Sequence, residues 1–232
     1  MVNVADRLLF LKNLQVVTNK IHAASNIDEI ILELSQEICA LFNADRLTIY
    51  LMDDDEQSIV SKVKTGLNSF KDIRLPVSEH SVAGFVASNK RQINLADVYD
   101  DAELHRFSPQ LQFLQEVDKR TGYRCKQMLV APILNPEGGV LGVFQLINYK
   151  PDTPFPAIVE EGVGDLTKTL AVAFIQRQKT APLVRSKYDY LVVDGVLSAD
   201  ELDLAKRAAR KKNTDLEDVL IHDFSVKAPL IG

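Results

Sequence analysis

The stretch QEVDKRTGYRCKQMLVAPILNPEGGVLGVFQLIN, residues Gln115–Asn148, decides the fold. Its second half holds two apolar runs, Met128 to Leu134 and Val140 to Ile147, on either side of Asn135-Pro136-Glu137-Gly138-Gly139. Short runs rich in Val, Ile and Leu, split by a turn of Asn, Pro and Gly, read as a buried β-hairpin. Its first half is different: charges, Thr121, Gly122 and Cys125 stand directly before the most apolar hairpin of the chain. A polar, glycine-containing segment set against such a hairpin calls for a functional reason.

Upstream, Leu8, Leu11, Leu14, Val17 and Ile21 recur at spacings of three and four, which predicts a helix over Val4 to Ala24. Leu9, Phe10 and Val16 widen its apolar surface beyond one stripe, so it needs a thick core or a partner helix. Ser25 or Asn26 caps a second helix running to about Leu41. The period then changes. Leu47 to Met52 and Ile59 to Val63 read as strands around the acidic turn Asp53 to Gln57, with short strands at Ile73 to Leu75 and Gln92 to Leu95. Ser81 to Asn89 reads as a short helix that tolerates Gly84 at about 1 kcal/mol. Asp97 to Glu116 is polar and irregular, with a helical turn or two expected around Leu111 to Leu114. A loop of that length in a compact domain is often a binding lid. Pro156 to Gln178 reads as a closing helix. Helices, a hairpin, a helical crossover, strands and a final helix make an α+β or α/β sandwich.

Composition narrows the function. The 232 residues are 46% hydrophobic and 25% charged, as in a soluble globular protein. A net charge of −5 with no basic domain argues against general nucleic-acid binding. The start of the chain lacks a signal-peptide pattern, and no apolar window is long enough for membrane insertion. The only cysteines, Cys39 and Cys125, stand far apart, which suits a reducing, cytoplasmic setting. No metal-ligand spacing, Walker loop or catalytic triad is visible, so no metal site and no enzymatic role are expected. Gly138-Gly139 sits on a hairpin turn, and Asp53-Asp54-Asp55 lacks the spacing of a calcium loop.

Three segments in order, SVAGFVASNKRQINLADVYDD, VDKRTGYRCKQMLVAPI and GGVLGVFQLINYK, resemble a GAF domain of the cyclic-nucleotide phosphodiesterase and cyclase type, over about Asn26 to Gln178. The resemblance implies a six-stranded antiparallel sheet with flanking helices, a small-molecule pocket in front, and a homodimer through the terminal helices. It makes the hairpin central sheet, buried on both faces, and the polar segment a pocket wall. By that resemblance Thr48 stands at a small-hydroxyl position, and Val82 and Ala83 at the start of a phosphate-facing helix. Asp118 and Thr121 match pocket-lining positions, and Gln145 stands where an acid is common. Cys125 replaces a Thr and Leu114 an aromatic, while the NKFDE motif is partial, with Asn148, Lys150, Phe155 and Glu160. The ligand is left open: a cyclic nucleotide, another small molecule, or an empty pocket serving dimerisation and protein interaction.

Residues 180–186 read as a linker between residues 1–179 and a small, mainly helical unit at residues 187–232. That unit resembles the N-terminal domain of type II secretion and type IV pilus assembly ATPases through Gly195, Leu197, Ser198, Leu202, Leu216 and Leu220, which implies secretion or pilus machinery as partners. Ser198 with Glu201 three residues on is also a capping box. The end at Ile231-Gly232, without a capping element, reads as a cut within a longer protein.

Overall fold

The computed structural model describes residues 4–64, 70–115, 118–119, 122–180, 188, 191, 196–212, 214–224 and 226. The chain separates into two units, Met1–Lys179 and Thr180–Gly232. The first is built on a six-stranded sheet: β1 (Ala44–Met52), β2 (Ser58–Lys64), β3 (Phe70–Pro76), β4 (Ile93–Leu95), β5 (Met128–Leu134) and β6 (Val140–Tyr149), in the spatial order β3-β2-β1-β6-β5-β4. Every neighbouring pair is antiparallel. The hairpin that opened the sequence is β5–β6, and β6 lies in the middle of the sheet, buried on both faces from Gly142 to Ile147.

Alternation along the strands sorts side chains to two faces. Ile49 of β1 with Phe144 and Leu146 of β6 face a helical layer. This consists of α1 (Val4–Ala23), α2 (Ile27–Leu32), α3 (Ser35–Leu41) and α6 (Ala157–Thr180). Tyr50, Val143 and Ile147 face the other side, towards α4 (Val82–Asn89) and the segment that follows it. In α1, Leu14, Val17 and Ile21 are buried, whereas Leu8, Leu9, Leu11 and Val16 remain exposed. Helices α1 and α6 run side by side in the same direction: Phe10 lies against Gly162, and Arg177 reaches Ile21 and Ala24.

Three expectations change. The single helix expected to Leu41 is two, broken at Glu33–Leu34, where the Ser35 hydroxyl turns back to the Leu32 carbonyl at 3.2 Å. Strand β3 is longer than Ile73 to Leu75, because it pairs with β2 along its whole length from Phe70 to Pro76. The helical turn is not at Leu111 to Leu114 but at α5 (Asp101–Leu104). There the Asp100 carboxyl accepts from the N–H of Ala102 and Glu103, and Glu103 accepts from Ala96 and Asp97.

In the second unit, α7 (Ala199–Lys212) and α8 (Leu216–His222) pack Leu202, Ala205, Ala209, Val219 and Leu220 into a small core with Tyr188, Leu191 and Leu197. The capping box forms: Ser198 N–H donates to Glu201 Oε2 at 2.7 Å, and Glu201 N–H to Ser198 Oγ at 3.2 Å.

Candidate functional site

A cavity of about 840 Å³ opens in front of the sheet. Its floor is β1 and β6, where Thr48 and Gln145 stand directly opposite each other in the register. Alternation, with Ile49 and Phe144 turned to the helical layer, sends both toward the cavity. Gln145 is 6% exposed. Among the described residues its amide has no hydrogen-bond partner, and it is not walled off from the cavity. The Thr48 hydroxyl and that of Ser61 on β2, also at the cavity, are likewise without a partner. Buried polar groups are ordinarily satisfied, so a set left open around one cavity is a set available to a ligand.

The roof begins at α4. Ser81 is its N-cap, its hydroxyl accepting from Gly84 N–H at 3.2 Å. The amides of Val82 and Ala83 belong to the helix's first turn, where backbone N–H groups have no intrahelical acceptor, and both residues line the cavity. Gly84 is required by packing: a Cβ there would stand 2.5 Å from the Pro76 carbonyl oxygen and 2.7 Å from that of Ser78. The helix start is thereby pressed against the end of β3.

The wall is the polar segment before β5. Asp118, 6% exposed, is its anchor. Its carboxyl accepts from Cys125 N–H at 2.7 Å, from Tyr99 O–H at 3.0 Å and from the Cys125 thiol at 3.0 Å. Burial first, and then this bond to Asp118, push the Cys125 thiol up to about 12. Burial and the same carboxyl also raise Tyr99. Tyr99 packs against Phe113 with tilted rings, centroids 5.2 Å apart, and carries the Arg124 guanidinium over its ring at 3.7 Å. Asn148, in the left-handed region with φ 54°, ties this wall to β6. Its side chain accepts from Lys126 N–H at 2.7 Å and donates to the Arg124 carbonyl and the Tyr123 hydroxyl. Arg46 lies over the Tyr123 ring at 3.4 Å.

Of the residues nominated from sequence, Thr48, Val82, Ala83, Asp118, Cys125 and Gln145 all line this one cavity, and Thr121 lies outside the described residues. Asp118 and Cys125 are there largely to hold each other. Tyr99, Tyr123, Arg46 and Ser61 were not nominated; no spacing marks them, because only the folded wall and the assembled sheet bring them to the site.

The cavity extends beyond the front face. Strands β1 and β2 pair only at Leu51–Val60 and Met52–Ile59, whereas β2 and β3 pair from Ser58–Pro76 to Lys64–Phe70. Past Tyr50 the two strands part, and the space between them continues to Ser35, Gln36 and Cys39 of α3. Among the described residues no group of His, Cys, Asp and Glu could hold a metal ion.

The family model described as "GAF domain" matches residues 26–174. The chain belongs to the GAF family. As such it is a small-molecule-binding regulatory domain, homologous to a segment of cyclic-nucleotide phosphodiesterases. It is 29% identical over 154 residues to the dual 3',5'-cyclic-AMP and -GMP phosphodiesterase 11A of Takifugu rubripes, covering 62% of this chain and 15% of that protein. It is 26% identical over 211 residues to the probable 3',5'-cyclic phosphodiesterase pde-5 of Caenorhabditis elegans, covering 84% of this chain and 27% of that protein. The match thus spans only a small part of those relatives. Among solved structures, the GAF domain of a Coxiella burnetii phosphoenolpyruvate-protein phosphotransferase superposes with TM-score 0.61 at 22% identity, over 75% of this chain and 98% of that one. The free methionine-R-sulfoxide reductase of Neisseria meningitidis superposes with TM-score 0.57 at 14% identity, over 75% and 93%. These two establish the shared fold.

Proposed function

We propose that this GAF domain is a regulatory sensor whose cavity takes a cyclic purine mononucleotide, cAMP or cGMP. The observation that carries the reading is the facing pair Thr48 and Gln145, both unpartnered at the bottom of a cavity whose roof is a helix start. A purine needs hydrogen-bonding groups aimed at its edge, and a cyclic phosphate suits open N–H groups and the positive end of a helix dipole. Val82 and Ala83 would supply those amides. About 840 Å³ is within the usual range of roughly 300–1,000 Å³ for small-ligand sites. The relatives named for cAMP and cGMP point the same way.

The role is regulatory rather than catalytic. Cys125, with its thiol pushed up to about 12, and Cys39, pushed by burial to about 11, are poor thiolate nucleophiles at neutral pH. Both are free, in keeping with a cytoplasmic setting. Among the described residues, no helix is long and apolar enough to cross a membrane. Exposed Leu8, Leu9, Leu11 and Val16 on α1 and Val172 on α6 support a homodimer through these helices. The C-terminal unit, by its Leu197-Ser198 motif and capped α7, would pass the signal to secretion or pilus machinery.

A thermal-melting series on the full chain tests the reading, with cAMP, cGMP, cyclic di-GMP and free amino acids. A ligand at a hundred times its Kd adds about 2.7 kcal/mol to the folded state. That is a rise of roughly 5–10 °C for a unit of this size. A rise with cAMP or cGMP supports the reading; no rise with either, or a rise only with another compound, overturns it.

A further inference from the structure

We infer that Gln145 is the group that reads the base, and that it accepts adenine and guanine alike. The inference rests on the cyclic-nucleotide reading above and concerns how that site discriminates. Gln145 sits at the centre of the sheet, flanked in register by Thr48 on β1 and Val130 on β5. It is 6% exposed, and among the described residues nothing bonds its amide. A side-chain amide carries an acceptor oxygen and a donor nitrogen on one plane, and a half-turn about its last bond exchanges them. What ordinarily locks such a group is a neighbour of fixed polarity. Among the described residues, its neighbours on the adjoining strands lack one. Val130 is apolar, and the hydroxyls of Thr48 and Ser61 can each donate or accept. The carboxyl of Asp118, a fixed acceptor of the wall, is taken up by Cys125 and Tyr99.

Adenine presents an N6–H donor beside the N1 acceptor; guanine presents the O6 acceptor beside the N1–H donor. One orientation of the amide makes two hydrogen bonds to the first, and the flipped orientation makes two to the second. Two consequences follow, the first of which a carboxylate at this position would not give. Guanine's 2-amino group goes unread, because the amide is already satisfied by O6 and N1–H. Loss of the 6-substituent weakens binding, because one of the two bonds disappears.

The test is equilibrium binding to the full chain of cAMP, cGMP, cyclic IMP (no 2-amino group) and cyclic purine riboside monophosphate (no 6-substituent). The inference expects cAMP and cGMP within about tenfold of each other and cyclic IMP within about threefold of cGMP. It expects the unsubstituted purine to bind about tenfold more weakly than cAMP. Gln145→Glu, which can only accept when ionised, should move the cAMP-to-cGMP ratio about tenfold toward cGMP and make cGMP tighter than cyclic IMP. If that variant does not fold, the analogue series on the unaltered protein decides alone. Binding of cAMP or cGMP with more than tenfold preference, or with cyclic IMP far weaker than cGMP, overturns the assignment of Gln145 and leaves the nucleotide site standing. Binding of none of the four removes the site and the assignment together.

Discussion

The carboxyl of Asp118 accepts hydrogen bonds from both the backbone N–H and the thiol of Cys125, at 2.7 and 3.0 Å. Two positions seven apart thereby close the cavity wall on itself. Asp118→Ala leaves a buried N–H and the Tyr99 hydroxyl without their acceptor, which predicts a loss of about 2–3 kcal/mol in folding stability. Chemical denaturation of the variant measures it. In a double-mutant cycle with Cys125→Ala, the two losses should not add.

Alkali should unfold this protein early. Burial is the leading cause that raises Cys125 and Tyr50 to about 12 and Cys39 to about 11, from ordinary values of 9 and 10. In each case the folded state holds its proton longer than the unfolded one. The stability these groups contribute is therefore complete below about pH 9 and is lost as pH rises toward 12. Denaturation midpoints measured from pH 8 to 11 should fall, and Cys125→Val should flatten the fall. A flat profile for the unaltered protein contradicts the assignment.

Gly84 separates packing from propensity. Helix propensity alone predicts that Gly84→Ala gains about 1 kcal/mol. The structure predicts a net loss of about 1–3 kcal/mol, because the new methyl would meet the Pro76 and Ser78 carbonyls at 2.5 and 2.7 Å. The sign of the change in melting temperature decides between the two.

Arg177 joins the first and last helices of the GAF unit. It is 9% exposed and donates to the carbonyls of Ile21, Ala24, His22 and Ala173, so it caps the C-terminal end of α1 from α6. Arg177→Met should destabilise the unit by about 2–4 kcal/mol and raise hydrogen exchange along α1. Arg177→Lys should fail to restore it, since a single ammonium cannot serve a fork of carbonyls on two helices.

The β5–β6 hairpin was legible because its apolar runs are continuous and its turn carries Asn, Pro and Gly, a pattern that few alternatives share. The break between α2 and α3 was not, because Ile30, Ile31, Leu34, Ile38 and Leu41 keep a helical period straight through it. Leu111 looked helical for its leucine neighbours, yet it is fully buried in the front-face core as part of an irregular segment, and the helical turn forms at Asp100, where a capping side chain was available. In the cavity, Thr48 and Gln145 could be nominated through family resemblance, but their facing each other follows from strand register, which only pairing fixes. Tyr99 and Tyr123 carry no sequence signal at all; their places come from Asp118 and Asn148, each a long-range or lid contact.

The most direct test of the sensor account watches the Gln145 side-chain amide itself. Its nitrogen–proton resonance pair, assigned by its disappearance in Gln145→Leu, is followed in the full chain as cAMP or cGMP is added. The account predicts that both nucleotides shift this pair, saturating at one nucleotide per chain. Binding that leaves the pair unmoved, or no binding by either nucleotide, contradicts it.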